Sequence, residues 1–286
     1  MQDATPQKAS APDDACVIFL HIPKCGGNSF LDFLRASIPP GGEFDVYVGF
    51  DYARRLQELE ALGPDERAKL RFVFGHLPWG VHRLLPQPAT YVTLLRHPVD
   101  RIVSHYSFVK ANKRHPLHET VLREKLSLID YARSGLTGEL ENGQTRLLCG
   151  RPELDSLRGH GHVLYSHLQE AMENLLGVQT RFGLVEYYDA SQQVIAQDAG
   201  WPPPPPATRK NVTSGRPPLA AVSLEEWQAI VDRNPLDMEL YFAALREFER
   251  RAASCGVALQ ADCIPQEPVA VGRRLLARLR RPATKR

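Results

Sequence analysis

The sequence predicts a single α/β domain, a phosphate-loop-like parallel sheet with helices on both faces. Three observations carry that prediction. Short apolar segments alternate with amphipathic segments of helical period along most of the chain. The strand-like segments are apolar throughout, as strands buried on both faces are. The first of them runs into Lys-Cys-Gly-Gly and then at once into a helical pattern, the strand–loop–helix order that cradles anions.

Taken in order, residues 16–22 (CVIFLHI) form the first strand and 28–37 (NSFLDFLRAS) the helix after it. Residues 52–70 read as a solvent-facing helix with Leu56, Leu59 and Leu62 on its apolar side. A short strand, 71–74 (RFVF), leads to Gly75 and His76. Strand 90–95 (TYVTLL) is stopped by Arg96-His97-Pro98, and Pro98 suits the first turn of a helix through Val109, where its missing N–H is no loss. The stretch 117–148 is mostly helical, 167–176 is an amphipathic helix and 180–186 a strand. A stiff, Pro-rich surface segment, 201–218, breaks the alternation. Helix returns over 224–252, interrupted near Asn234-Pro235. The organisation is thus a lead-in (1–15), a domain (16–255) with its Pro-rich loop, and a C-terminal extension (256–286).

At 286 residues, 43% hydrophobic and 24% charged, the chain has ordinary globular composition. It holds no run of eighteen apolar residues, so no membrane span is expected. The first residues lack an apolar signal core, so a cytoplasmic location is expected. Seven Lys/Arg between Arg273 and Arg286 more than account for the net charge of +2 and leave the rest acidic. That speaks against nucleic acid as a partner. The basic tail reads either as a piece that touches anionic lipid, keeping the protein membrane-peripheral, or as solubilising disorder. Five cysteines without a CxxC pair argue against a zinc site. Cys255 and Cys263 are near enough to bridge, and Cys25 is either a reactive thiol at a helix start or a small residue filling a turn.

In a parallel sheet, ligands sit beyond the carboxyl ends of the strands. Three such ends carry polar residues. The first has Lys24, Cys25, Gly26, Gly27, Asn28 and Ser29: glycines that admit an anion to the backbone, side-chain donors, and a mobile positive charge. The second has His76. The third has Arg96, a planar fork suited to phosphate, with Ser104 about two helical turns further on.

The segments FLHIPKCGGNSF and LLRHPVDRIVSHYSF together resemble the two donor-binding motifs of sulfotransferases related to the heparan-sulfate and uronyl 2-O-sulfotransferases. FGHLPWG (74–80), NGQTRLLCG (142–150), FGLVEYYDAS (182–191), KNVTSGRP (210–217) and NPLDMELYFAAL (234–245) follow in the family's order. The resemblance spans about residues 16 to 250. It implies a donor, 3′-phosphoadenosine 5′-phosphosulfate (PAPS), with adenosine 3′,5′-bisphosphate as product and no metal required. By it, the Lys24 loop holds the phosphosulfate, Arg96 and Ser104 hold the 3′-phosphate, and His76 is the base. Cys25 and Asn28 stand where the family often has threonine.

Lys24 is expected to neutralise the leaving phosphate oxygen, and His21, His97 and His105 are rivals to His76. Gln144 and Arg146 either orient an acceptor or, for Arg146, form a helix-surface ion pair. Lys210, Asn211 and Ser214 lie in a loop that, by resemblance, closes over the nucleotide. Glu186 is expected to end a strand and pair locally. The acceptor implied is a hydroxyl on a glycan or glycolipid. Two alternatives stand beside this reading: a nucleotide-dependent kinase, against which the missing GxxxxGK[ST] counts, and an inactive nucleotide-binding scaffold.

Overall fold

The strands are β1 (Cys16–Leu20), β2 (Gly42–Asp45), β3 (Leu70–Gly75), β4 (Ala89–Leu95) and β5 (Thr180–Leu184). All pair in parallel, in the order β2-β3-β1-β4-β5. The computed structural model describes residues 15–47, 52–151, 153–154, 161–204 and 217–260. Helices α1 (Gly27–Ser37), α2 (Tyr52–Ala61), α3 (Pro64–Ala68), α4 (Pro98–Ala111), α5 (His118–Arg123) and α6 (Leu128–Arg133) occupy the first half. Helices α7 (Gly143–Cys149), α8 (Tyr165–Leu176), α9 (Tyr188–Ala199), α10 (Leu224–Arg233) and α11 (Pro235–Ser254) complete the described residues.

Helices cover both faces, as the all-apolar strands require. On one face, Phe30 of α1 meets Tyr188 of α9 edge-on, and a Cβ on Gly183 of β5 would fall 2.4 Å from the Ser191 side chain. On the other, Trp79 stacks on Tyr91 of β4 while its N–H donates to Leu147 of α7, and Arg251 of α11 lies over Phe182 of β5. A second apolar cluster joins α4, α5, α6 and α10 around Ile102, Tyr131 and Ile230. It fixes α4, and with it one wall of the site.

Several elements differ from the sequence expectation. The helix expected over 52–70 is two helices, because Gly63 is extended, Pro64 opens a new first turn, and Glu66 accepts the Gly63 N–H at 2.9 Å. The stretch 117–148 is mostly helical as expected, but divided into three short α-helices and a 3-10 turn (Gly138–Leu140), with left-handed residues at Lys125 and Asn142. Leu59 is buried and Leu56 and Leu62 pack beside it, as their spacing predicts.

The sheet order explains where the site lies. From β1 the chain passes to β2 on one side, and from β4 to β5 on the other. The carboxyl ends of the neighbours β1 and β4 are therefore a topological switch point, where α/β sheets open a crevice. Thr93 Oγ1 donates to Leu20 O at 2.7 Å and ties these two ends together.

Candidate active site

The loop after β1 is a tight turn. His21 N–H still bonds Gly75 O at 3.0 Å, and Cys25 N–H returns to Ile22 O at 3.1 Å. Gly26 (φ 72) and, less usually, Lys24 (φ 68) take the left-handed conformation. Helix α1 starts with no side-chain cap on Gly26. The N–H groups of its first turn, at Gly27, Asn28 and Ser29, lie at the positive end of its dipole. Gly27 has a stricter reason than anion access: a Cβ there would sit 1.9 Å from His21 Nε2. The Lys24 ammonium lies over the Phe108 ring of α4, 3.8 Å from its centroid.

The ends of β4 and β3 close on this loop. Arg96 Nη1 donates to Lys24 O at 2.9 Å, and Arg96 Nε to Asp100 Oδ2 at 2.6 Å. The fork expected to stand open for a bidentate phosphate contact is thus partly committed inside the protein. A phosphate would meet its remaining Nη protons. Ser104 is buried on α4. From β3, His76 Nδ1 lies 2.8 Å from His21 O. A carbonyl can only accept, so Nδ1 carries the proton and Nε2 keeps its lone pair. Burial first, with Lys24 and His105 adding, pushes the His76 pKa below the ordinary histidine value, against the hydrogen bond that His76 donates to His21 O and the charge of Glu139. The ring is therefore neutral near pH 7, in its basic form.

The rival histidines are enclosed. His21 bonds Tyr47 OH through Nδ1 and abuts Gly27 through Nε2. His97 is fully buried among Trp227, Tyr241 and Phe242, with neither ring nitrogen hydrogen-bonded. His105 has Nδ1 at 2.8 Å from Tyr131 OH and Nε2 at 2.9 Å from Glu139 Oε2. Burial opposes the charge on Glu139, yet His105, through charge and hydrogen bond, and then His76 and Arg101 hold its carboxyl down to about 2.

Gln144 and Arg146, expected to orient an acceptor, are both buried side chains. Gln144 is fully buried, its amide taken by the backbone N–H and C=O of Arg96, both at 3.0 Å. Arg146 is buried too, so it does not lie on the helix surface, and its guanidinium donates to Glu141 O and Gly161 O. Cys25 fills its turn as a packed thiol, its pKa raised to about 12 chiefly by burial. Lys210, Asn211, Ser214, Cys263 and the basic tail lie outside the described residues, and of Asn28 only the backbone is described.

Glu186 pairs not locally, as expected, but with the end of the neighbouring strand: its Oε1 accepts the His97 N–H at 2.7 Å, at the start of α4. Two groups escaped the sequence reading. Asp237 accepts Gln144 N–H, Thr145 N–H and Thr145 Oγ1–H. Asn142 Oδ1 in turn accepts Leu236 and Asp237 N–H, so the α7 and α11 starts cap each other. Polar residues opening two helices (NGQT and NPLD) are the signal that could have found this.

The histidines make stability acid-sensitive. Burial is the first cause of lowered pKa at His21, His76, His97 (to about 3) and His115 (to about 4). Unfolded, these rings protonate near pH 6.5; folded, they do not. The unfolded chain then binds more protons, so stability is complete above about pH 6.5 and is lost as pH falls through about pH 4. Circular-dichroism melts should show this fall. His97→Leu should recover part of it without loss at pH 7, since the His97 ring makes no hydrogen bond to sacrifice and the backbone N–H bond to Glu186 stays.

No protein-family model and no curated protein matches the chain. Among solved structures, a mouse sulfotransferase, SULT7A1, crystallised with PAP, is similar at 17% identity and a TM-score of 0.40, over 94% of this chain and 90% of that one. That likeness is too distant to transfer residue roles. The class that the fold defines is an α/β protein with a parallel sheet, a glycine-bearing loop leading into a helix N-terminus, and a neutral imidazole at the switch point. Among its described residues, no helix is long and apolar enough to cross a membrane.

Proposed function

We propose that the chain is a PAPS-dependent O-sulfotransferase. The observation that carries this reading is the meeting of three strand ends. Arg96 grips the Lys24 carbonyl at 2.9 Å, while His76, tied to His21 O at 2.8 Å, retains a basic Nε2 beside the same loop. Two cationic elements at neighbouring strand ends suit a donor with phosphate at both ends. The basic imidazole suits an alcohol acceptor.

In the reaction, the first-turn N–H groups of α1 and Lys24 hold the phosphosulfate end, and Arg96 with Ser104 the 3′-phosphate. His76 Nε2 takes the acceptor's hydroxyl proton as the acceptor oxygen bonds to sulfur. The S–O bond to the phosphate breaks, and its electron pair stays on that phosphate oxygen, where Lys24 offsets the growing charge. For Lys24 this requires leaving the Phe108 ring, a contact worth about 1 kcal/mol or less where exposed. The acceptor is a hydroxyl of a carbohydrate or glycolipid, by the resemblance of the motifs.

Thermal shift with adenosine 3′,5′-bisphosphate, without metal, against ATP with magnesium tests the reading. A ligand at one hundred times its Kd should stabilise by about 2.7 kcal/mol. A response to the bisphosphate supports it; a response to ATP and magnesium alone supports the kinase alternative.

A further inference from the structure

Strand β4 outlasts its neighbour. Its pairing with β1 ends at Phe19↔Val92, whereas on the other side β5 follows it to Leu95↔Leu184. The peptide groups of Arg96 therefore project past the ladder, where a side chain must satisfy them. Gln144 does so as a strand would: Oε1 accepts the Arg96 N–H and Nε2–H donates to Arg96 O, both at 3.0 Å. The same Oε1 lies 3.8 Å from Cys25 Sγ in the phosphate loop. Gln144 is itself anchored, its N–H on Asp237 Oδ2 at 3.1 Å. Since the Arg96 side chain returns to Lys24 O, the contacts close a ring through Cys25, Gln144, Arg96 and Lys24.

We infer that Gln144 is a positioning residue that sets the spacing between the two anion-holding elements, and so the preference for 3′-phosphorylated over plain 5′-nucleotides. The inference rests on the sulfotransferase reading above. A primary amide offers an acceptor and a donor on separate atoms side by side, matching one peptide's N–H and C=O. Glutamate would lose the donor and leucine both. The Cys25 thiol, kept protonated by burial, supplies an S–H to the same oxygen.

The test is calorimetric titration, without metal, of adenosine 3′,5′-bisphosphate and adenosine 5′-monophosphate into wild type and Gln144→Leu. Wild type should prefer the bisphosphate by about tenfold or more, the worth of one or two charge-assisted hydrogen bonds. In Gln144→Leu that ratio should collapse towards one, with monophosphate affinity within about twofold of wild type. An unchanged ratio overturns the inference. An equal loss for both nucleotides also overturns it, because a merely structural residue would act that way. Should Gln144→Leu fail to fold, Cys25→Ala, which cuts only the loop's link to the amide, must lower the ratio, and an unaltered ratio overturns the inference. A wild type that binds neither nucleotide removes the sulfotransferase reading and this inference with it. A wild type that binds, beside a variant of equal preference, removes this inference alone.

Discussion

Replacing His76 with alanine is expected to slow sulfuryl transfer by about 10²–10⁴-fold, the range of a general base, while bisphosphate affinity stays within about threefold. The split follows from position. His76 comes from β3, on the far side of β1 from Arg96, so its loss leaves Arg96 and its bond to Lys24 O in place. His76→Gln separates chemistry from packing: an amide can still donate to His21 O but cannot take a proton near pH 7. It should fold like wild type and be equally slow. Because burial holds His76 below the ordinary value, its basic form persists as pH falls through about 6.5, and the acid limb of kcat should lie below that point. Stopped-time assays across pH read both outcomes. Turnover by His76→Gln near the wild-type rate would remove the base.

Arg96→Ala should act on binding and stability together. It strips the donor from Lys24 O and leaves Asp100, itself buried, without its ion-pair partner. Breaking a buried pair from one side costs about 3–5 kcal/mol, so the melting temperature should fall by several degrees. Bisphosphate affinity should drop by about a hundredfold, as the loop's left-handed Lys24 loses its clamp and the 3′-phosphate its cation. The double variant Arg96→Ala/Asp100→Ala distinguishes the two losses. Removing the carboxylate that faced Arg96 should restore much of the stability and none of the affinity. If affinity returned with stability, Arg96 would be a structural residue only.

Much of this site was legible in the sequence, for a reason visible in particular residues. Lys24, His76 and Arg96 stand at ends of continuous apolar strands, so alternation alone placed them on one edge of the sheet. Helix α4 was legible because Pro98 marks its start and Val99, Ile102 and Val103 give its apolar side. Strand β2 was not. GEFD is four residues on an edge, half exposed, with a glycine and two acids that rarely build strands. Helix α9 was hidden because its buried side includes Ser191 and Gln192 among the apolar residues. Ser191 Oγ bonds both N–H and C=O of Leu184, much as Gln144 serves Arg96. Polar side chains that replace a strand neighbour look, in sequence, like groups meant for a ligand. Gln144 and Arg146 were read that way because composition does not separate an inward polar residue from an outward one.

The most direct measurement is a crystal structure with adenosine 3′,5′-bisphosphate. It should place the 5′-phosphate on the N–H groups of Gly27 to Ser29, with Lys24 Nζ drawn from the Phe108 ring towards it. The 3′-phosphate should rest on Arg96 Nη and Ser104 Oγ, with His76 Nε2 facing the empty position of the transferred group. A nucleotide bound away from the β1 and β4 ends, or one that leaves Lys24 on Phe108 and Arg96 untouched, would contradict a donor held at both ends.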